Sequence, residues 1–197
     1  MDRAFNRLRG VVEMLAFRPN WRRNFDIGPS AVNRSFLAAI PAAPLFVLSI
    51  AGPNEAYRSL AETPASAHPT GIVQGAVLYF CLWTYFPLVA RIFVRIFRIE
   101  KSFAPWLVVH NWTVLLLVGL QAALGALVLT GLLSPAAYLN LGSLYFIFAL
   151  YAHCRVAAAT LDAPVPVAVG GASLAILIWL LVQLFLIWVF SGLVLQA

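Results

Sequence analysis

The chain has 197 residues, of which 62% are hydrophobic and only 10% are charged, and its mean hydropathy is +0.90. Soluble domains contain about 45–50% apolar and about 25% charged residues, so this composition excludes a soluble globular protein and predicts an integral membrane protein. Thirteen Lys and Arg against seven Asp and Glu leave a net charge of +6, which we attribute to the segments that flank the membrane and not to nucleic-acid binding.

Residues 1–34 are predicted to form a charged head, ahead of a membrane domain of residues 35–197. In helical projection, one face of residues 3–17 is apolar and consists of Ala4, Phe5, Leu8, Val11, Val12, Leu15 and Ala16. The opposite face is polar and consists of Arg3, Asn6, Arg7, Arg9 and Glu13, while Met14 and Phe17 interrupt the pattern. This pattern predicts an amphipathic helix in the membrane interface. Its cations Arg3, Arg7 and Arg9 are candidates for binding anionic lipids or a partner.

Five stretches without charged residues are long enough to cross the hydrocarbon core of a bilayer, which takes about 20 apolar residues in a helix. In chain order they are residues 35–53, 71–90, 103–132, 135–154 and 165–195. Pro41 and Pro44 predict an irregular start to the first stretch, whereas Pro135 suits the first turn of the fourth. The sequence therefore predicts an all-α bundle of five transmembrane helices, preceded by the interfacial helix.

The cations lie almost entirely on one side of this topology. All but Arg58 fall in the head, in the connection between the second and third spans, or in the connection between the fourth and fifth. Lys and Arg in short flanking loops favour the cytoplasmic side of a membrane. We therefore expect a protein of the inner (cytoplasmic) membrane, with its N-terminus in the cytoplasm and its C-terminus in the periplasm.

The connection after the second span carries a cluster of four cations. Arg91, Arg95, Arg98 and Lys101 are spaced by four, three and three residues, so they share one face if the helix continues through them. This spacing predicts that the second span extends into an interfacial helix. The cluster is a candidate site for anionic phospholipid headgroups, and the alternative is that it only sets the topology.

Polar residues inside the predicted spans are the candidates for chemistry. Antiparallel packing would bring His110 of the third span towards His153 at the end of the fourth, and two imidazoles suit a b-type haem or a quinone. The alternative is that His110, Asn111 and Trp112 are structural, with Asn111 forming hydrogen bonds between helices. Gln121 and Gln183 are candidates for the same structural role.

Small residues indicate where helices approach each other closely. Gly71 and Gly75 form a GxxxG pattern at the start of the second span, and Ala122 and Ala126 have the same spacing in the third. Such pairs let helix backbones come into contact in a membrane. We therefore predict helix packing at Gly71 and Gly75.

Several features of catalytic and transport proteins are missing from the sequence. The predicted spans contain no Asp, Glu, Lys or Arg, which argues against an ion-coupled transporter. There is no HExxH, GxSxG or phosphate-binding glycine loop, so we predict no catalytic residue and no metal site. We expect a non-enzymatic scaffold, assembly or accessory subunit that binds other integral membrane proteins and anionic phospholipids. The alternatives are a small redox subunit that uses His110 and His153, and a permease for a neutral solute.

The head also contains two short motifs that bear on family. Phe17-Arg18-Pro19-Asn20-Trp21-Arg22-Arg23 places a proline and a tryptophan shortly before the first span, and Asp26-Ile27-Gly28-Pro29 follows. With the charged head and five spans, this resembles the bacterial branch of the Ypt-interacting-protein (Yip) family. The eukaryotic signature Asp-Leu-Tyr-Gly-Pro is one residue longer and contains an aromatic residue. The resemblance implies a membrane protein that acts through contacts with other membrane proteins and lipids; in eukaryotes these partners are small GTPases and trafficking proteins.

Overall fold

The computed structural model describes residues 2–60 and 71–194, with side chains for residues 4–28, 30–60 and 71–190, and every element in these ranges is helical. The α-helices are α1 (Asp2–Leu15), α2 (Pro29–Ser35), α3 (Ala39–Leu60), α4 (Ile72–Ile96), α5 (Phe103–Leu129), α6 (Pro135–Thr160) and α7 (Val165–Val194). Short 3-10 helices occupy Pro19–Asn24, Phe36–Ala38 and Glu100–Ser102. Five segments are long and apolar enough to cross a membrane: Ser30–Leu60, Ile72–Ile96, Glu100–Leu129, Pro135–Thr160 and Val165–Phe190. The predicted number of membrane-length helices is confirmed within the described residues.

Several helices continue beyond the charge-free stretches that predicted them. The first span runs on through Pro53 to Leu60, and the fourth runs past Cys154 to Thr160. A charge-free stretch measures the part of a helix that lies in hydrocarbon, whereas the helix itself continues into the interface. The irregular start predicted for the first span is present as the 3-10 helix Phe36–Ala38, just before Pro41.

The helix predicted to continue from the second span through Lys101 ends earlier, at Ile96. Arg98 adopts a left-handed conformation with φ 56°. The N–H of Ile99 donates to Val94 O at 2.8 Å and that of Arg98 to Arg95 O at 3.2 Å, which together close the helix in a Schellman motif. Arg91 and Arg95 therefore lie on α4, while Arg98 and Lys101 lie on the connection to α5.

Helix α5 forms the centre of the bundle, because it contacts α1, α2, α3, α4 and α6. Its tightest neighbour is α3, and the two backbones meet at Gly52 and Gly125. A Cβ atom added at Gly125 would lie 2.5 Å from Leu48 O, and one added at Gly52 would overlap the Gly125 backbone. The close approach predicted at Gly71 and Gly75 is thus found elsewhere. Gly71 is the exposed N-cap of α4, and a Cβ at Gly75 would make ordinary contact with Ile50 Cδ1 at 3.4 Å.

Helix α1 packs against α5, α6 and the 3-10 helix Pro19–Asn24. Val11 and Met14 are buried in these contacts, whereas Phe5 and Val12 are exposed. The Tyr151 hydroxyl of α6 donates to Leu15 O at 2.5 Å. The sequence predicted a single apolar face with Met14 as an interruption. Instead, the apolar residues of α1 point in two directions, and Met14 is one of those that face the bundle.

Candidate functional site

The two imidazoles singled out in the sequence lie side by side between α5 and α6. The ring centroids of His110 and His153 are 5.0 Å apart, with 31° between the ring planes. His110 is buried and stacks flat on Phe86 of α4, with centroids 3.3 Å apart and planes 4° apart. Trp106 meets the same Phe86 edge-on at 5.1 Å. Three helices therefore build an aromatic cluster around one imidazole.

Three buried polar atoms on α4 and α5, one of them in this cluster, have no protein partner. The Nε2 atom of His110 and the indole N–H groups of Trp83 and Trp112 are buried and form no hydrogen bond with the described residues. Buried polar groups in folded proteins are nearly always paired. His153 is only partly buried, so the pair can be approached from its side of the bundle. The arrangement offers one imidazole edge to a small polar group.

The arrangement of these imidazoles does not suit a haem between them. Metal–imidazole bonds are about 2 Å long, so two imidazoles on opposite faces of an iron hold their ring centroids about 6 Å apart. The observed 5.0 Å is shorter, and the Phe86 ring fills the space beside His110. A porphyrin would require His110 and Phe86 to separate.

The other polar residues predicted inside the spans are Asn111, Gln121 and Gln183. Asn111 forms the hydrogen bond between helices that the structural alternative predicted: its Nδ2 atom donates to Ser35 Oγ at 2.9 Å, which joins α5 to α2. Gln121 of α5 lies beside the Tyr138 hydroxyl of α6. The Gln183 side chain forms no hydrogen bond within the described part of the chain, although its helix packs against α4 and α6.

One end of the bundle collects the positive charge, and we refer to it as the cationic end. It is the end at which α4 and α6 finish and α5 and α7 begin. The head is fastened to it by several contacts: Arg22 Nη2 donates to Ala159 O at 3.1 Å, and Arg155 lies over the Phe17 ring at 4.2 Å. These contacts join the N-terminal segment to the last turns of α6, so the cationic end is a packed surface.

Two of the cations predicted on α1 have partners within the protein, although Arg9 itself is exposed. The Arg7 guanidinium lies over the Trp112 ring at 5.9 Å, and Arg9 Nε bonds to Glu13 Oε1 at 2.9 Å. The side chain of Arg3 lies outside the described residues. In the same way, Arg91 of α4 lies over the Phe103 ring at 5.3 Å. Much of the predicted lipid-binding or partner-binding set therefore also holds the cationic end together.

Other cations remain exposed at this end. Among the side chains that the structure describes, five are exposed and form no ion pair, no side-chain hydrogen bond and no contact with an aromatic ring: Arg18, Arg23, Arg95, Arg98 and Lys101. Sequence analysis singled out the last three but not Arg18 and Arg23. Both belong to a head whose arginines look alike in sequence, and only the folded structure separates those with partners, such as Arg22 and Arg34, from Arg18 and Arg23.

Sequence analysis also missed a buried carboxylate beneath the head. Glu13 is only 5% exposed, and its Oε2 atom accepts a hydrogen bond from Asn24 Nδ2 at 2.8 Å. The hydrogen bond from Arg9 holds the pKa of Glu13 below its usual value, against the opposing effect of partial burial. The ionised carboxylate of Glu13 thus links α1 to the 3-10 helix Pro19–Asn24.

The Asp26-Ile27-Gly28-Pro29 motif has a local structural role. Asp26 Oδ1 accepts a hydrogen bond from the Gly28 N–H at 3.2 Å, and Pro29 opens α2. The same carboxylate pairs with Arg34 in the last turn of α2. The motif therefore turns the chain from the head into the first span.

A recess of about 400 Å³ opens on the cationic end, between the 3-10 helix Pro19–Asn24 and the ends of α5 and α6. Its lining includes Trp21, Arg22, Lys101, Ser102 and Asp162. Ser102 Oγ accepts a hydrogen bond from the Asp162 N–H at 3.0 Å and so fixes one wall. The recess is therefore lined by aromatic, cationic and acidic groups together.

Comparisons of the chain with protein-family models, with curated proteins and with solved structures gave no match. The resemblance to the Yip family therefore stays a prediction from the sequence.

Proposed function

We propose that the chain is a non-enzymatic protein of the inner membrane that acts as a scaffold, assembly or accessory subunit of a larger membrane complex. In this proposal the cationic end faces the cytoplasm and the C-terminus lies in the periplasm. Its partners are other integral membrane proteins. They are held by helix packing and by their own acidic groups, which bind the cations of the cationic end.

The observation that carries the proposal is the set of five exposed, unpaired cations on a packed surface. A positive patch meets acidic groups of a partner with little loss of entropy when its scaffold is already ordered. The contacts of Arg22 with Ala159 and of Arg155 with Phe17 order this surface in the isolated chain. The recess beside Lys101 adds a concave feature to it.

The test is a pull-down of the tagged full chain at its own expression level in a mild detergent, with the mass and absorption spectrum of the eluate recorded. We expect a stoichiometric, colourless complex. Arg18→Glu should lower the recovery of the partner about tenfold or more, because a like charge then faces the partner's acidic groups.

The matched control is Arg58→Glu, which makes the same change of charge at the opposite end of the bundle, where Arg58 pairs with Glu55. Recovery of the partner should be unchanged in this variant. A monodisperse free chain from wild-type cells, or equal losses in both variants, would contradict the proposal.

A second candidate is a redox subunit, and the observation that favours it is the contact between His110 and His153. The Nε2 atom of His110, which has no partner, favours a quinone oxygen over a haem iron, because the two imidazole rings are too close together to bind opposite faces of an iron. Purified protein would then carry extractable quinone that is lost in His110→Ala. A haem would instead give a Soret band that the same variant abolishes, and a colourless, quinone-free preparation would exclude both.

A further inference from the structure

An apolar groove of about 430 Å³ runs between the last turns of α4 and the first turns of α7. It starts at the cationic end and continues into the part of the bundle that lies in hydrocarbon. Its volume falls within the range of about 300–1,000 Å³ typical of small-molecule sites. The lining is entirely apolar or glycine: Ile92, Phe93, Ile96, Phe97, Pro166, Val167, Gly170 and Leu174.

Two adjacent glycines of α7 account for the shape of the groove. A Cβ atom at Gly171 would lie 2.8 Å from Phe93 Cζ, so the two helices are in contact there. A Cβ atom at Gly170 would have no neighbour within 4 Å, and Gly170 lines the groove. One glycine brings the helices together, and the next leaves the space beside the contact open.

The wall of the groove on α4 adjoins the unpaired cations. Ile92 and Ile96 are exposed on the rim, at 60% and 69%. Arg95 is three residues from Ile92 and four from Arg91, so the three side chains are neighbours on the helix surface. Arg98 follows on the connection, and neither Arg95 nor Arg98 forms an ion pair with a described acidic side chain.

This combination matches the chemistry of one kind of molecule. A membrane phospholipid presents an acyl chain at the depth of the groove and a phosphate at the depth of the cations. Guanidinium groups bind phosphate through paired, charge-assisted hydrogen bonds, and basic sites between membrane helices are typical binding sites for anionic lipids. An extended peptide would leave its backbone polar groups unsatisfied in so apolar a groove.

We propose that the groove holds an acyl chain of an anionic phospholipid whose phosphate binds Arg95 and Arg98. The lipid is a structural ligand of the contact between α4 and α7 at the cationic end. This site extends the proposed function, since it lies on the surface assigned to partners, but it does not depend on a protein partner. If the pull-down recovers no protein partner while the chain still binds the lipid, only the proposed scaffold or accessory function is overturned.

The experiment measures lipid binding to the purified full chain in detergent by native mass spectrometry. Delipidated protein is titrated with phosphatidylglycerol and, in parallel, with phosphatidylcholine of the same acyl chains. We expect tighter binding of phosphatidylglycerol. The double variant Arg95→Gln/Arg98→Gln should weaken it about 25-fold, or about fivefold for each cation, and leave phosphatidylcholine unchanged.

The matched control for charge is Arg18→Gln/Arg23→Gln, which removes two exposed cations from the same end but from the head. Phosphatidylglycerol binding should change less than twofold in this variant. Equal losses in the two double variants would mean that the lipid responds to net charge, and would overturn the proposed site.

The groove itself is tested by Gly170→Leu, which fills it with a side chain that meets no neighbour within 4 Å of its Cβ. We expect phosphatidylglycerol binding to fall at least tenfold. Gly142→Leu is the control, because Gly142 of α6 also has open space at its Cβ position and does not line the groove. Wild-type binding by Gly170→Leu protein with an unchanged thermal unfolding midpoint would overturn the proposal. If that variant unfolds early, the arginine variants decide the question.

Discussion

The contact between Gly52 and Gly125 brings two membrane helices to backbone distance. Neither position forms a GxxxG pattern, because the residues four places away are Leu48 and Ala56 for Gly52, and Gln121 and Leu129 for Gly125. The pattern that does occur, at Gly71 and Gly75, lies where α4 begins, and there only Gly75 faces another helix, at ordinary contact distance from the Ile50 side chain of α3. The spacing of small residues in one helix indicates that another helix can approach closely there. Whether it does depends on the residue that faces them on that other helix.

We expect Gly52→Ala to destabilise the protein by about 1–3 kcal/mol, the usual cost of overpacking a well-packed core. The added methyl group would overlap the Gly125 backbone, which has no flexible side chain to move aside. The measurement is the free energy of unfolding in detergent micelles.

Gly119→Ala is the control for this substitution, because it gives α5 the same gain in helix propensity where a Cβ would sit 3.8 Å from Leu45 Cδ1. It should be neutral or slightly stabilising. Equal stability of the two variants would show that α3 and α5 do not meet as described.

The imidazole pair shows how far a site can be predicted at the level of residues. The antiparallel order of the third and fourth spans was enough to predict that His110 and His153 lie near each other. The stack of His110 on Phe86 was not predictable, because it depends on the rotation of α4 about its own axis. That rotation is set by packing between segments that are distant in sequence.

At the scale of elements, α1 shows how a surface helix is held by polar as well as apolar contacts. Val11 and Met14 bury one side, and Glu13 forms hydrogen bonds with Arg9 and Asn24. Phe5 and Val12 remain exposed on another side, where they suit the hydrocarbon edge of a membrane interface. A single helical projection merges these two apolar directions into one face.

The stability conferred by Glu13 should depend on pH. The pKa of Glu13 is lowered in the folded protein, so its contribution is present at neutral pH and is lost as the pH falls through the folded pKa. We expect wild type to unfold at a higher temperature than Glu13→Gln at pH 7, and the difference to shrink below about pH 4. The measurement is the thermal unfolding midpoint of both proteins between pH 7 and pH 3.

Glu55→Gln provides the comparison, because Glu55 forms its ion pair at the other end of the bundle, on an exposed surface. Exposed pairs contribute little to stability, so this variant should follow wild type at every pH. A gap between wild type and Glu13→Gln that stays constant down to pH 3 would contradict the role assigned to the Glu13 carboxylate.

At the scale of the whole molecule, the distribution of charge divides the bundle into two unlike ends. Twelve of the thirteen cations lie in the head, on the last turns of α4 and α6, or on the connection between α4 and α5. Arg58, at the other end, is paired with Glu55. Since cationic flanks resist transfer across the membrane, the asymmetry predicts a single orientation.

Reporter fusions test that orientation directly. Alkaline phosphatase fused to the C-terminus should be active, because five spans place the C-terminus in the periplasm when the N-terminus is cytoplasmic. A fluorescent protein fused at the N-terminus should fluoresce in the same cells. An inactive C-terminal phosphatase together with a fluorescent C-terminal fusion would mean an even number of spans.

The sequence by itself determined the number of membrane-length helices and the concentration of charge at one end. Both follow from local composition: the number of consecutive apolar residues is compared with the thickness of hydrocarbon, and cations are counted loop by loop. The tertiary structure alone decided which glycines meet, how His110 stacks, where α4 ends and where the groove opens. Helices such as α5 and α7 are apolar on all sides, so the sequence does not distinguish a lipid-facing side from a protein-facing one. Only contacts between distant segments make that distinction.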